Sequence, residues 1–315
     1  MEYRKLGNTG ISVSRLCFGL LTLSGLQRGL DVREGVSLLK KALDLGVTFF
    51  DTAVLYETDE VLNRFLRDVR RDSIVIASKS YDYDYESMRK TVMGVLSRLE
   101  TPYIDLFLLH EQESRLTLKG HAGALDCLRD LKAEGLVRAI GVSTHYVDVV
   151  RACALNPVVD VVHPIYNWKG IGVQGGSVEE MRDAIQFARD MGLGVYAMKA
   201  LGGGHLTNDA ASALRHVLDF QAVDSVAVGM ADVRELEFNI AVFEGRGVDS
   251  ESAQSLVRGK ALHVADYCRG CGRCVSRCGY GALRLQDGRA TVDSKACVLC
   301  GYCASVCPDF CLKVY

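Results

Sequence analysis

Nine of the 12 cysteines in this 315-residue chain lie between Cys268 and Cys311. Eight of them form two runs of the same C-x2-C-x2-C-x3-C spacing: Cys268, Cys271, Cys274 and Cys278, then Cys297, Cys300, Cys303 and Cys307. Gaps of two residues let a turning backbone direct three thiolates at one iron–sulfur cluster. Zinc, the alternative, usually takes C-x2-C pairs separated by a longer loop. The sequence therefore predicts two [4Fe–4S] clusters.

Residues 263–315 resemble bacterial two-cluster ferredoxins. The resemblance rests on the two cysteine runs and on the sequence after each, Gly-Ala-Leu-Arg-Leu and Phe-Cys-Leu-Lys-Val. In that family the fourth cysteine of each run binds the other cluster. The resemblance therefore implies one cluster held by Cys268, Cys271, Cys274 and Cys307, and a second held by Cys297, Cys300, Cys303 and Cys278. The chain has Gly279 where the family usually has a proline after the fourth cysteine, whereas Pro308 keeps that pattern.

Ahead of these cysteines, short runs of β-branched residues alternate with longer helical patterns. Eight runs are predicted to be strands: 15–20, 48–53, 73–79, 104–110, 137–143, 158–166, 194–199 and 225–229. Between them, apolar residues recur three and four positions apart, as at Val36, Leu39 and Leu43, which places them on one helix face. Eight strand–helix units predict an α/β fold, a (β/α)8 TIM barrel. A doubly wound sheet is less favoured, because the glycine-rich dinucleotide motif after its first strand is missing.

Polar residues at the C-terminal ends of the predicted strands are the candidates for catalysis, because active sites of such barrels lie there. The second strand leads to Asp51, with Tyr56 five residues later, the third ends at Lys79, and the fourth ends at His110. Each residue alone has an ordinary explanation, such as a capping Asp or a solvated Lys. Their occurrence on neighbouring strands of one barrel face favours a shared catalytic site.

Most of residues 1–245 resemble the aldo-keto reductase superfamily. The resemblance rests on Asp51-Thr52-Ala53-x-x-Tyr56, Ser78-Lys79, Asp105-Leu-Phe-Leu-Leu-His110 and Gly141-Val142-Ser143, and on an N-terminal β-hairpin predicted over 3–13. It implies reduction of a small carbonyl compound, with Tyr56 as the general acid and His110 positioning the carbonyl oxygen. Lys79, held by Asp51, is expected to lower the pKa of Tyr56 from its ordinary value of about 10.

The same resemblance implies NADPH or NADH as the hydride donor. Where the family has Ser-Asn, Gln and an aromatic residue around the nicotinamide, this chain has Ser143-Thr144, His163 and Met198. The loop of Leu201, Gly202, Gly203 and Gly204 either presents backbone amides to a pyrophosphate or is a simple turn. Candidates for the adenosine end are Gly229, Asn239 and, for a 2′-phosphate, Arg234, whose offset from the usual position leaves both NADP and NAD open.

Composition and charge narrow the class of protein. The net charge of −2 gives no indication of a nucleic acid or an anionic membrane as partner. The polar N-terminus, Met1 to Thr9, is unlike a secretory signal, and no apolar run approaches the roughly 20 residues that span a bilayer. We therefore expect a soluble, cytoplasmic protein. Its expected domains are the barrel (1–245), a linker (246–262) with a helix predicted over 256–265, and a small α+β ferredoxin-type domain (263–315).

Three functional hypotheses follow from these features. The first is an NAD(P)H-dependent carbonyl reductase with a fused electron-transfer domain. A hydride carries two electrons and each cluster transfers one, so the second places a flavin or another non-nicotinamide cofactor in the barrel and reduces it through the clusters. The third is a non-enzymatic redox sensor or regulatory subunit, which the four strand-end residues argue against. An external electron donor or acceptor protein is an expected partner in the first two.

Overall fold

Eight parallel strands close into a barrel in the computed structural model, which describes residues 1–248, 253, 256 and 259–315. After the hairpin strands β1 (Tyr3–Lys5) and β2 (Ser12–Ser14), the barrel strands are β3 (Leu16–Gly19), β4 (Phe49–Asp51), β5 (Val75–Ser80), β6 (Ile104–Leu109), β7 (Val137–Thr144), β8 (Val161–Pro164), β9 (Gly194–Met198) and β10 (Ser225–Gly229). Strand β10 pairs with β3, placing Gly229 opposite Gly19. The predicted (β/α)8 barrel is confirmed.

Helices cover the outside of the barrel: α1 (Val32–Asp44), α2 (Asp59–Leu66), α3 (Tyr85–Leu99), α4 (Arg115–Gly120), α5 (Ala122–Ala133), α6 (Val147–Ala154), α7 (Val178–Asp190), α8 (Ala210–Leu218) and α9 (Val233–Phe243). Local sequence fixes several of their starts. Asp31 and Glu34 form a capping box at α1, and Ser177 and Glu180 form one at α7. Among the residues that the structure describes, none of the helices combines the length and apolar character needed to cross a bilayer.

The N-terminal hairpin closes one end of the barrel. Leu6, Ile11 and Val13 are buried and pack with side chains from the barrel interior, among them Phe49 and Tyr196. The other end, where the strands reach their C-termini, is called the open end below. The hairpin therefore closes the opposite end of the barrel to a substrate.

The C-terminal region, residues 259–315, folds around two short antiparallel pairs. Strand β11 (Leu262–Val264) pairs with β14 (Leu312–Val314), and β12 (Leu283–Gln286) pairs with β13 (Arg289–Val292). Helix α10 (Arg273–Arg277) completes a small α+β unit, as predicted. The helix predicted over 256–265 is wrong at its C-terminal end, because Leu262 is buried in a strand that pairs with β14. Positions 249–252, 254, 255, 257 and 258 of the predicted linker lie outside the described residues.

Candidate active site and cluster sites

Four polar side chains, called the tetrad below, meet at the open end of the barrel. Asp51 ends β4, Tyr56 ends a turn of 3-10 helix just after it, Lys79 lies near the end of β5, and His110 follows β6. The Lys79 Nζ donates to Asp51 Oδ1 at 2.7 Å and to the carbonyl oxygen of Thr52 at 2.6 Å. It also lies 5.1 Å from the centre of the Tyr56 ring, and the Tyr56 and His110 rings are 5.8 Å apart. The structure thus brings all four candidate residues into one site.

The pKa of Tyr56 differs from the expectation. Burial, and then the carboxylate of Asp51, raise this pKa well above the ordinary value of 10. The expectation that Lys79 lowers it is wrong, because the Lys79 ammonium is paired with Asp51 and the pair presents little net positive charge to the phenol. The phenol is therefore protonated at neutral pH, which is the state that a general acid requires.

His110 is neutral in this environment. Burial, and then the positive charge of Lys79, lower the pKa of His110 to about 3. The Tyr81 ring stacks on the imidazole at 4.4 Å, and His110 Nδ1 is buried without a hydrogen-bond partner among the described residues. A neutral imidazole has one N–H donor and one acceptor nitrogen. The ring can therefore donate to a carbonyl oxygen without adding a charge to the site.

The residues expected around a nicotinamide lie on β7, β8 and β9 at the open end. The Ser143 Oγ accepts from a backbone N–H of the loop after β6 at 2.8 Å, and the Thr144 hydroxyl donates to a carbonyl oxygen of that loop at 2.6 Å. His163 Nδ1 donates to the carbonyl oxygen of Tyr196 at 2.6 Å. Met198 ends β9 and is largely buried. The structure brings these four side chains together, and three of them already form hydrogen bonds with the protein backbone.

The candidates for the adenosine end lie around β10 and α9. Gly229 ends β10 beside the hydroxyl of Thr22, which leaves no room for a Cβ atom. Asn239 is buried within α9. Arg234 is exposed on the first turn of α9, where its guanidinium pairs with Asp232 at 2.7 Å. The single basic candidate for a 2′-phosphate is therefore already bound to a carboxylate.

The loop predicted to bind a pyrophosphate, Leu201 to Gly204, is in contact with the C-terminal region. A Cβ atom added at Gly203 would lie 2.9 Å from the Phe310 ring, and one added at Gly204 would overlap the carbonyl group of Val314. Both glycines have left-handed backbones, with φ of 67° and 90°. Gly202 before them is buried. Glycine is thus required here because the Phe310 ring and the Val314 backbone approach the loop closely, and the C-terminal strand packs on this loop.

Two cavities in the C-terminal region collect the predicted cluster ligands. The first is lined by Cys268, Cys271, Cys274 and Cys307. The second is lined by Cys278, Cys297, Cys300 and Cys303. The fourth cysteine of each run therefore lies on the cavity of the other run, as the crosswise assignment requires. Backbone N–H groups also approach the thiols, with Ala290 N at 3.5 Å from Cys268 Sγ and Ala282 N at 3.3 Å from Cys278 Sγ. These residues fit two [4Fe–4S] clusters, which would supply one-electron transfer.

The remaining cysteines are buried. Cys17, Cys127 and Cys153 lie in the barrel domain, where each is buried and packs in a hydrophobic cluster. Cys311 is also buried, but it borders the first cavity, and its Sγ lies 3.3 Å from Cys307 Sγ. The three barrel cysteines are small buried hydrophobic residues, whereas Cys311 is also part of the wall around the first cluster site.

Replacing Cys278 by serine tests the crosswise assignment. We expect the variant to lose the cluster of the second cavity only, so that iron falls from about eight to about four atoms per chain. Iron analysis and EPR of anaerobically purified protein measure the loss, with exposed Ser276→Ala as control. Adding Cys300→Ser should remove no further iron, whereas adding Cys271→Ser should remove the rest. The reverse pattern would contradict the assignment.

Phe310 connects the first cluster cavity with the open end of the barrel. It lies three residues after Cys307, and its ring packs against the backbone of Gly172 in the loop after β8. The ring centre is 5.7 Å from the ring of His145 and 4.8 Å from the Nζ of Lys199. Sequence reasoning missed His145 and Phe310. Lys199 had a signal, because it ends the seventh predicted strand.

Tyr267 provides a second connection, since it directly precedes the cluster cysteine Cys268. Burial, and then the carboxylate of Glu111, raise the pKa of Tyr267 to about 12. Glu111 directly follows His110 and accepts from the hydroxyl of Tyr81 at 2.6 Å. Tyr81 in turn stacks on His110. Few side chains therefore separate the first cluster cavity from the tetrad.

Comparison with known proteins gives the same two parts of the chain, the barrel and the C-terminal region. A model of the aldo/keto reductase family matches residues 15–212, and a model of the 4Fe-4S dicluster domain matches residues 260–308. The first match covers more than half of the chain, so the chain belongs to the aldo/keto reductase family. It is an oxidoreductase that carries a dicluster domain after its barrel.

Individual relatives are distant. L-galactose dehydrogenase from Arabidopsis thaliana is 26% identical over 296 residues, which cover 80% of this chain and 92% of that protein. Aldo-keto reductase YhdN from Bacillus subtilis is 27% identical, and the chain spans 54% of its length. A solved structure of a Pseudomonas aeruginosa protein assigned to the aldo-keto reductases superposes with a TM-score of 0.67 at 29% identity, over 81% of this chain and 95% of that one.

Proposed function

We propose that the protein reduces the carbonyl group of a small molecule to an alcohol, with Tyr56 as the proton donor. The reaction adds two electrons and two protons to the carbonyl group, one of the protons being bound by the oxygen. The tetrad is the observation that supports this proposal most, because a protonated phenol and a neutral imidazole lie side by side, with ring centres 5.8 Å apart. Both groups can donate to the same carbonyl oxygen.

Each member of the tetrad has a separate task in this reaction. His110 donates a hydrogen bond that orients the carbonyl oxygen, and Tyr56 transfers its proton to that oxygen as negative charge develops there. The Lys79 ammonium, paired with Asp51, lies 5.1 Å from the centre of the Tyr56 ring and holds that ring in position. Asp51 keeps Lys79 in place, and the hydroxyl of Tyr196, at 3.1 Å from Asp51 Oδ2, fixes the second oxygen of that carboxylate.

Two sources of electrons are compatible with these tasks. NADPH or NADH would supply both electrons as one hydride, and Ser143, Thr144, His163 and Met198 are the residues that would hold its nicotinamide. The second source is the pair of clusters, acting directly or through a flavin. The contact between the C-terminal strand and Gly203 and Gly204 favours the second source, because it covers the loop expected to bind a dinucleotide pyrophosphate.

An anaerobic assay with separate electron donors tests the proposal. Protein with its iron–sulfur clusters is mixed with a panel of small aldehydes and ketones, and NADPH, NADH or reduced methyl viologen is added, with and without flavin. Alcohol formation from any donor supports carbonyl reduction, and the donor that works identifies the electron source. If no donor yields alcohol from any carbonyl in the panel, the proposal is wrong.

A further inference from the structure

Cys311 is the ninth cysteine of the C-terminal region and the one that neither cluster assignment uses as a ligand. Its side chain is 4% exposed, and it lines the first cavity together with Cys268, Cys271, Cys274 and Cys307. The Cys311 Sγ lies 3.3 Å from the Sγ of Cys307, and the backbone N–H of Cys311 donates to the same sulfur at 3.4 Å. The thiol and the backbone N–H of Cys311 are therefore both directed at one ligand of the first cluster.

The Cys311 thiol is the donor in this pair of sulfurs when a cluster is bound. A cysteine that binds iron is a thiolate, so the sulfur of Cys307 would have no proton and could only accept. Cys311, a buried cysteine that binds no metal, keeps its S–H. An S–H group is a weak donor, but a charged acceptor and the exclusion of water both strengthen its hydrogen bond. The geometry thus provides one charge-assisted hydrogen bond to the first cluster site.

The second cavity provides a comparison within the same chain. Ala282 follows Cys278 by four residues, as Cys311 follows Cys307 by four. Ala282 is also buried and lines the second cavity, and its backbone N lies 3.3 Å from the Sγ of Cys278. The two cluster sites therefore share the backbone contact to the fourth cysteine of a run, and they differ in the thiol that only the first site has.

We infer that the Cys311 thiol donates a hydrogen bond to Cys307 and thereby raises the reduction potential of the first cluster. Hydrogen bonds to the cluster sulfurs are among the factors that set this potential. Such a bond stabilises negative charge on the ligand sulfur, and the reduced cluster carries one negative charge more than the oxidised cluster. Cys311 acts through Cys307 and is therefore a positioning residue. It favours an electron at the site that Phe310 and Tyr267 connect with the tetrad. The inference concerns the cluster site and goes beyond the proposed reduction of a carbonyl group.

An anaerobic redox titration of the protein with its clusters, combined with iron analysis, tests the inference. We expect Cys311→Ala to keep about eight iron atoms per chain and to lower the reduction equilibrium constant of one cluster about tenfold, which is about 59 mV for one electron. Alanine should fit, because Ala282 has the equivalent position in the second site. Cys311→Ser replaces the thiol by another donor and should stay within about twofold of the wild type. Unchanged potentials in Cys311→Ala overturn the inference, and so does a loss of iron, which would show that Cys311 is a ligand.

Two further variants show which cluster the thiol affects. In the Cys278→Ser protein, which is expected to hold the first cluster alone, the added Cys311→Ala should produce the same shift; its absence there would assign the shift to the second cluster and contradict the inference. The reciprocal variant Ala282→Cys adds a thiol to the second site. We expect it to raise the potential of the second cluster by a similar factor. An unchanged or lower potential in an Ala282→Cys protein with its full iron content would show that a thiol at this position does not favour reduction.

Discussion

Replacing Tyr56 by phenylalanine should lower the turnover of carbonyl reduction by about 10²- to 10⁴-fold. The substitution removes the phenol that protonates the oxygen and leaves the ring, and therefore its packing at 5.8 Å from His110, in place. Steady-state rates with the electron donor that supports the wild-type reaction measure the effect. Iron content should be unchanged, because the cluster cysteines lie in a different part of the chain.

The matched control is Tyr83→Phe, which removes a hydroxyl from a side chain that is 64% exposed and lies in the loop after β5. It should keep the wild-type rate within about twofold. A Tyr56→Phe variant that reduces carbonyl compounds at the full rate would show that another group is the acid.

The pH profile of the wild type gives a second check on the same assignment. The pKa of Tyr56 is raised above 10, so its acid form is complete below that pH, and the pKa of His110 is lowered to about 3, so its neutral form is complete well above pH 3. The rate with a neutral ketone should therefore be constant from about pH 5 to pH 9. A fall centred near pH 7 would indicate a different proton donor.

The barrel could be predicted from the sequence because each strand–helix unit carries its own pattern. Strand β6 is apolar apart from Asp105, and it is followed by His110 at the position where catalytic side chains of such barrels lie. The predicted bounds of a strand are less accurate where apolar residues continue beyond the segment that pairs with neighbouring strands. The strand predicted over 158–166 is thus observed only as Val161–Pro164.

The position of the C-terminal region could not be predicted, because it depends on contacts between residues far apart in the sequence. Phe310 meets Gly172 and Gly203, and each of these glycines alone resembles an ordinary turn residue. The pKa of Tyr56 was mispredicted for a related reason. The sequence places Asp51 and Lys79 at the ends of neighbouring strands. The direction of the pKa shift of Tyr56, however, depends on burial and on the pairing of Lys79 with Asp51.

Replacing Gly204 by valine should release the C-terminal strand from the barrel. The new side chain would overlap the carbonyl group of Val314, which we expect to cost about 1–3 kcal/mol beyond the left-handed backbone strain. Gly245→Val is the matched control, because Gly245 has a similar φ of 69° and no atom of the described residues lies within 4 Å of a Cβ added there. Thermal unfolding of both variants measures their loss of stability. Both carry the backbone strain, so the difference between them is the effect of the overlap.

The functional consequence of Gly204→Val distinguishes the two sources of electrons. The C-terminal region also forms hydrogen bonds with the barrel. His205 Nε2 donates to the Leu312 carbonyl oxygen and Gln174 Nε2 donates to the Pro308 carbonyl oxygen, both at 3.0 Å. If the clusters reduce the barrel site, loss of these contacts should slow electron transfer, since misplacement of reacting groups by about 1 Å is already costly. We expect a carbonyl substrate to reoxidise the reduced clusters at least about tenfold more slowly in stopped-flow experiments. If NADPH is the direct donor, the variant should instead bind NADPH more tightly, because the loop is uncovered. An unchanged reoxidation rate in a variant with the expected loss of stability would show that electron transfer does not depend on this contact.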